Sequence, residues 1–311
     1  MGIFADKPPY RKFLILVSLV LFSTLVFSMI GMLLARYLYG IDLLTNETLL
    51  NDLENPVVLA AMKMLQMVTS GIGMFLLPAL FAAIVFDKKP VAYLQLNKRA
   101  PAPVQFLTVL LMFSAVPVIN ALLVFNQAMQ LPSFLSGLEN WMKTSEENAA
   151  VVTEAFLKMK TPVDLVQNLI IVAVLPALGE EFLFRGIIQR LFTDLTGKPV
   201  TAILLSAALF SALHLQFYGF LPRFALGILF GFLLIWSGSI WLPVLAHFVN
   251  NGAAVLMAWF NRNDALGFNQ DTIGTAPGEW VYTLLSAGVV ILLCMLINKM
   301  LPKPETVPDL E

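Results

Sequence analysis

The sequence predicts an all-α fold, a polytopic membrane protein of about eight transmembrane helices. Three observations carry this. Hydrophobic residues make up 59% of the 311 and charged residues only 13%, against about 25% charged in soluble domains. Mean hydropathy is +0.81. The apolar residues also gather into runs near the ~20 residues that a helix needs to cross a bilayer.

The runs follow in order. The first, 13–35, is too long for the apolar part of a signal peptide and has no small-x-small cleavage site, so it reads as a retained span. Runs 60–86 and 104–126 are the next two. Between them and the following run lies an amphipathic helical stretch, Leu138 to Met159. Two readings stand for it: a helix lying on the outer membrane surface, or a solvated connecting helix. Runs 162–190, 200–215, 221–237 and 240–260 are separated by short turns and carry polar residues. The last run is 280–298. No soluble domain and no fixed-period repeat is evident. The chain divides into membrane helices over 1–161, a polar membrane core over 162–260, and an outer loop, last span and tail over 261–311.

Composition also excludes. A net charge of −1 gives no reason to expect nucleic acid as a partner. Cys294 is the single cysteine, so no intrachain disulfide and no cysteine metal cluster can form. The tail ends PDLE, which is no prenylation box, and Asp6 spoils a myristoylation signal. Basic residues set the orientation. Lys7, Arg11, Lys12, Lys88, Lys89, Lys98, Arg99, Arg190, Lys198, Lys299 and Lys303 fall on the side of the N-terminus. The longer loops opposite hold only Arg36, Lys143, Lys158, Lys160, Arg223 and Arg262. Both termini are therefore expected inside.

Several polar residues contradict their surroundings. The stretch LPALGEEFLFRGI places Glu180, Glu181 and Arg185 within an apolar run. Each costs about 2.5–3.5 kcal/mol at a helix centre, and the three together cost about 8 kcal/mol if unpaired and facing lipid. Residues four apart share a helix face, so Glu181 is expected to pair with Arg185, with Gln189 next in the row. Glu180 is rotated about 140° from Arg185 and is left for another partner. Pro176 lacks an N–H and frees a carbonyl one turn earlier, where polar groups must be satisfied internally. Gly179 and Gly186 allow close approach of neighbouring helices.

The chain has two histidines, His214 and His247, both in apolar runs. His247 stands four before Asn251 and shares its face. Glu180 and His214 lie 17 residues either side of Gly197, so straight helices would bring both to about 25 Å from that turn. Two glutamates, two histidines, an arginine and an asparagine in one stretch read as a single site. The remaining polar residues have plainer readings. Lys63 is expected to snorkel. Asp164, Gln167 and Asn168 are expected to meet water. Gln216, Tyr218 and Arg223 read as an interfacial anchor, with lining of a substrate entrance as the other reading.

These residues resemble a known family. EEFLFR is similar to the EExxxR motif of the CAAX prenyl protease (type II) and bacteriocin-processing family, CPBP or ABI; FSALH is similar to its FxxxH motif and HFVNN to its HxxxN/D motif. The order and spacing also fit, and the resemblance covers 162–260. It implies that this segment is the catalytic core bundle of an intramembrane endopeptidase of the glutamate type. By that resemblance Glu180 matches the base that activates water and His214 the histidine sharing that water. His247 and Asn251 match the oxyanion pair, and Glu181 and Arg185 the supporting positions. The implied substrate is a membrane-associated, prenylated or bacteriocin-like peptide, and the implied location is a bacterial inner membrane.

The chemistry is sound on its own terms. Peptide hydrolysis needs a base for water and donors for the oxyanion, and no serine or cysteine nucleophile is required. No cofactor is expected. Zinc is the mechanistic rival, because two histidines and glutamates are zinc ligands. The HExxH spacing of zinc proteases is absent, however, and a glutamate beside a buried arginine is a poor ligand. A non-catalytic immunity or scaffold protein that binds a peptide and a transporter are the alternatives of different class.

Overall fold

The computed structural model describes residues 2–42, 52–262 and 272–302. Lys303, the PDLE tail and half of the loop before the last span lie outside the described residues. Within them the chain is helical, with no β-strand. In order the elements are α1 (Pro9–Tyr39), α2 (Pro56–Phe86), α3 (Ala102–Gln127), α4 (Ser136–Leu157), α5 (Pro162–Thr196), α6 (Pro199–Ala212), α7 (Phe220–Ser237), α8 (Trp241–Phe260) and α9 (Trp280–Met300). All but α4 and α6 are long and apolar enough to cross a membrane, α7 when counted with the turn before it. The chain is thus a polytopic helical membrane protein. The run expected over 200–215 is the exception: α6 has 14 residues, about 21 Å of helix, and stops short of its histidine.

Local sequence explains the boundaries. α1, α2, α3, α5 and α6 carry a proline in the first turn, where the missing N–H costs nothing. α5 and α7 end on Gly197 (φ 66°) and Gly238 (φ 59°), left-handed caps that a side chain would strain.

α2 and α5 share an irregularity. Each contains π-helical turns, over Met67–Leu76 in α2 and over Leu169–Val174 and Phe182–Ile188 in α5. In each, the same four residues, Leu-Pro-Ala-Leu, follow the first π segment, at 77–80 and 175–178. The two helices cross there. A Cβ on Gly179 would sit 2.9 Å from Phe75 Cβ and 3.2 Å from the Gly71 carbonyl, so glycine is what lets the backbones touch. The core around α5 is built from Phe184, Ile187 and Leu191 against Ala79, Ala82 and Phe86 of α2 and Leu16 of α1. α1 and α9 lie at the periphery, exposing Leu21, Phe22 and Leu25, and Leu284, Leu285 and Met295, faces suited to lipid.

The N-terminal segment fastens to the end of α2 through Gly2 N–H to Ile84 O (2.9 Å) and Phe4 N–H to Val85 O (2.8 Å). That end of the bundle also holds the turns after α5 and α7. The opposite end holds α4 and the turn between α6 and α7. α4, the amphipathic stretch of the sequence, is a helix, and it packs against α2, α8 and that turn.

Candidate active site

Glu181, Arg185 and Gln189 form one polar row along α5. They are 0%, 1% and 3% exposed, so each must find partners inside the protein. Arg185 donates from Nη1 to Glu181 Oε1 at 3.0 Å and from Nη2 to the Gly227 carbonyl at 3.2 Å. Gln189 Nε2 donates to the Gly231 carbonyl at 3.3 Å. The two acceptors are spaced like their donors, four apart. Gly227 and Gly231 form a small-xxx-small pair that brings α7 close enough for its backbone to be reached. A Cβ on Gly227 would lie 2.9 Å from Ala207 Cβ, and one on Gly231 would lie 2.8 Å from Gln189 Oε1. The guanidinium is also flanked by the rings of Phe210 (4.7 Å) and Phe230 (5.4 Å).

Glu181 has a second partner. His247 Nδ1 is 2.8 Å from the same Oε1. A carboxylate only accepts, so Nδ1 carries the proton and Nε2 turns to the other side. There it faces Glu180 Oε2 at 3.9 Å, beyond direct hydrogen-bond distance. The imidazole stacks on Phe230 at 5.4 Å. Glu180 itself is 9% exposed and is not hydrogen-bonded to Arg185, whose bonds go to Glu181 and Gly227.

His214 is not inside a helix. It follows the cap residue of α6, and its Nδ1 donates to the Phe210 carbonyl at 2.8 Å, which leaves Nε2 free of backbone. Leu215 next to it has φ 55°, a strained conformation for a branched side chain. This turns the chain sharply between His214 and Gln216.

Asn251 donates from Nδ2 to the Val172 carbonyl at 2.9 Å. Val172 is the residue four before Pro176, so this is the carbonyl the proline leaves without its helical donor. Asn250 Nδ2 donates to Asn251 Oδ1 at 3.0 Å. With oxygen and one N–H occupied, the second N–H of Asn251 has a fixed direction.

Glu180, His214, His247 and Asn251 line one cavity of about 740 Å³ at the α4 end of the bundle. Glu181 and Arg185 stand behind its wall and are not part of the lining. The wall also takes residues from outside 162–260: Gln66 of α2, and Asn148, Thr153 and Phe156 of α4. Sequence reasoning missed these, and it missed Asn250. The one signal for a backbone acceptor on α7 was the G-x-x-x-G at 227–231.

Two plainer expectations are corrected. Lys63 does not snorkel: it is buried, with its ammonium 5.8 Å from the Phe156 ring. Asn168 does not meet water but is buried and donates to the Phe156 carbonyl; together these residues tie α4 to α2 and α5. Of the two readings for Gln216 and Arg223, lining of a cavity is the one the structure shows. Among the described residues no group of three His, Cys, Asp or Glu side chains is placed to hold one metal ion.

Comparison with known proteins places a family likeness on the same segment. Residues 162–253 match the model of the family described as type II CAAX prenyl endopeptidase Rce1-like, a segment that contains all six site residues. Over 95 residues the chain is 26% identical to the membrane-embedded CAAX protease MroQ of Staphylococcus aureus (strain USA300). That match covers 29% of this chain and 38% of MroQ, well under half of either protein. No solved structure matches. The comparisons support a CAAX-protease-like domain in the second half of the chain.

Proposed function

We propose that the protein is an intramembrane endopeptidase that hydrolyses a membrane-associated peptide with a water activated by Glu180. The observation that carries this is the convergence of Glu180, His214, His247 and Asn251 on one cavity. Glu180 is the site carboxylate that does not form the direct ion pair with Arg185, and it faces His247 Nε2 across 3.9 Å.

Each group has a role in the reaction. Glu180 takes a proton from water while His214 Nε2 orients it; hydroxide adds to the scissile carbonyl, and Glu180 returns the proton to the leaving amine. The oxyanion needs donors. Asn251 offers its second Nδ2–H. His247 donates from Nε2 only as imidazolium, because its Nδ1 proton is already held by Glu181. Glu181 and Arg185 position His247 and do not touch the substrate.

The test uses purified protein in proteoliposomes and a library of membrane-anchored peptides. Glu180→Ala and His247→Ala are each expected to insert normally and to lose cleavage, with a general base alone contributing roughly 10²–10⁴-fold. Full activity of Glu180→Ala would overturn the assignment. Activity of metal-stripped protein in the presence of chelator separates this mechanism from a zinc one.

A further inference from the structure

A turn in the cavity wall is built around a cation. Arg223, in the first turn of α7, lines the cavity with Glu180 and His214. Its Nη1 donates to the Gln216 carbonyl at 2.8 Å, and its Nη2 donates to Gln216 Oε1. The guanidinium lies directly on Gly219, where a Cβ would come within 2.8 Å of both terminal nitrogens; any larger residue would displace it. The strained Leu215 (φ 55°) bends the chain that carries Gln216 into place. Three features of the turn 215–219 thus serve one side chain.

The partners found for Arg223 are all neutral. No carboxylate lies within ion-pair distance of it among the described residues. The acidic groups whose field reaches it are Glu146 of α4 and Glu180, and Glu146 Oε2 accepts from the Tyr218 N–H at 3.2 Å. A guanidinium has five N–H donors; Gln216 takes one from each of Nη1 and Nη2, which leaves Nε–H and the second N–H of each terminal nitrogen. Holding a cation in a partly apolar cavity with no carboxylate in direct contact is costly, and the remaining edge, Nε–H beside an Nη N–H, suits a carboxylate in bidentate geometry.

We propose that Arg223 binds a carboxylate of the substrate peptide and so fixes which bond meets Glu180. This rests on the peptidase reading above. The cavity is about 740 Å³ and an extended chain advances about 3.3–3.6 Å per residue, so the clamped carboxylate lies only a few residues from the scissile bond. Its source is the peptide's C-terminus or an Asp or Glu side chain.

The experiment separates the two sources. The probe is a pool of N-palmitoylated, fluorescent octapeptides of randomised sequence, made as free acids and as C-terminal amides, with and without Asp and Glu. Binding is read by fluorescence anisotropy and cleavage by mass spectrometry, for wild type, Arg223→Gln and Arg223→Lys. For a C-terminal source, amidation of the pool lacking Asp and Glu weakens binding to wild type by about 10- to 100-fold. For a side-chain source, the amidated pool binds only where Asp or Glu is present. In either case the discrimination shrinks to less than about 2-fold in Arg223→Gln, and Arg223→Lys, which keeps charge but loses the fork, falls between. Equal acid-to-amide and acidic-to-neutral ratios in wild type and Arg223→Gln would overturn the proposal. Binding does not require turnover, so carboxylate-dependent binding without cleavage by wild type would defeat the peptidase reading while leaving the clamp standing. Arg223→Lys covers the case in which Arg223→Gln does not fold.

Discussion

Removing Arg185 should be among the most damaging single changes to stability in this protein. In Arg185→Met the side-chain volume is roughly kept, but Glu181, 0% exposed, loses its 3.0 Å ion pair. The Gly227 carbonyl loses its donor at 3.2 Å, and Phe210 and Phe230 lose the cation between them. Breaking a buried pair from one side typically costs about 3–5 kcal/mol, because the remaining charge is left uncompensated. Glu181→Gln/Arg185→Met removes both charges, while Gln Oε1 still accepts from His247 Nδ1. That double variant should fall within about 1 kcal/mol of wild type, since an apolar replacement of the whole pair is often neutral. The assay is reversible denaturant unfolding in detergent micelles for wild type, both single variants and the double, in which the double variant should lose far less than the sum of the two singles. A loss below about 1 kcal/mol in Arg185→Met, or simple additivity in the double variant, would refute the buried-pair argument.

Three further outcomes follow from the same geometry. Asn250→Ala should lower kcat by about tenfold with little change in KM, because it frees Asn251 to rotate, whereas Asn251→Ala should cost about 10²–10³-fold; equal effects from the two would mean that Asn250 does more than orient its neighbour. Burial pushes the Tyr93 phenol up to about 12, with Asp194 and Asp87 adding to the shift and Arg190 opposing it. Because the folded value is the higher one, the stability it contributes is intact below pH 10 and is lost as pH rises from about 10 towards 12. Alkaline unfolding of Tyr93→Phe should lack that loss, and the Tyr93 hydroxyl has no hydrogen-bond partner in the structure that phenylalanine would forfeit. Finally, with Cys294 replaced by alanine, a cysteine at Glu147 should react with an impermeant maleimide from outside the cell and one at Lys88 should not; the reverse pattern would invert the orientation read from the basic residues.

Much of the site was legible because its residues are chemically out of place. The Glu181–Arg185 pair follows from a four-residue spacing and from the expense of burying charge. The carbonyl opened by Pro176 was also readable, but its acceptance from Asn251, on another helix, was not. The bond between Glu181 and His247 joins residues 66 apart in sequence, and no periodicity reports it. For Arg223 and Gln216 two readings stay open in the sequence, because a short polar link between apolar runs looks the same whether it faces water or a cavity.

The sequence alone determined the class of protein and its helix order, because both depend on local quantities: apolar run length, proline and glycine at helix ends, and the sorting of basic residues. It also identified the six polar residues, since an unpaired charge in an apolar run is recognisable without a partner in view. The tertiary structure decided which partner each one takes. Glu181 holds both Arg185 and His247, Glu180 is left to the cavity, and α4 and α2 supply walls that lie far from the site in sequence. Partner choice depends on how closely backbones approach, and that is set by contacts such as Gly227 and Gly231 against α5 and Gly179 against α2.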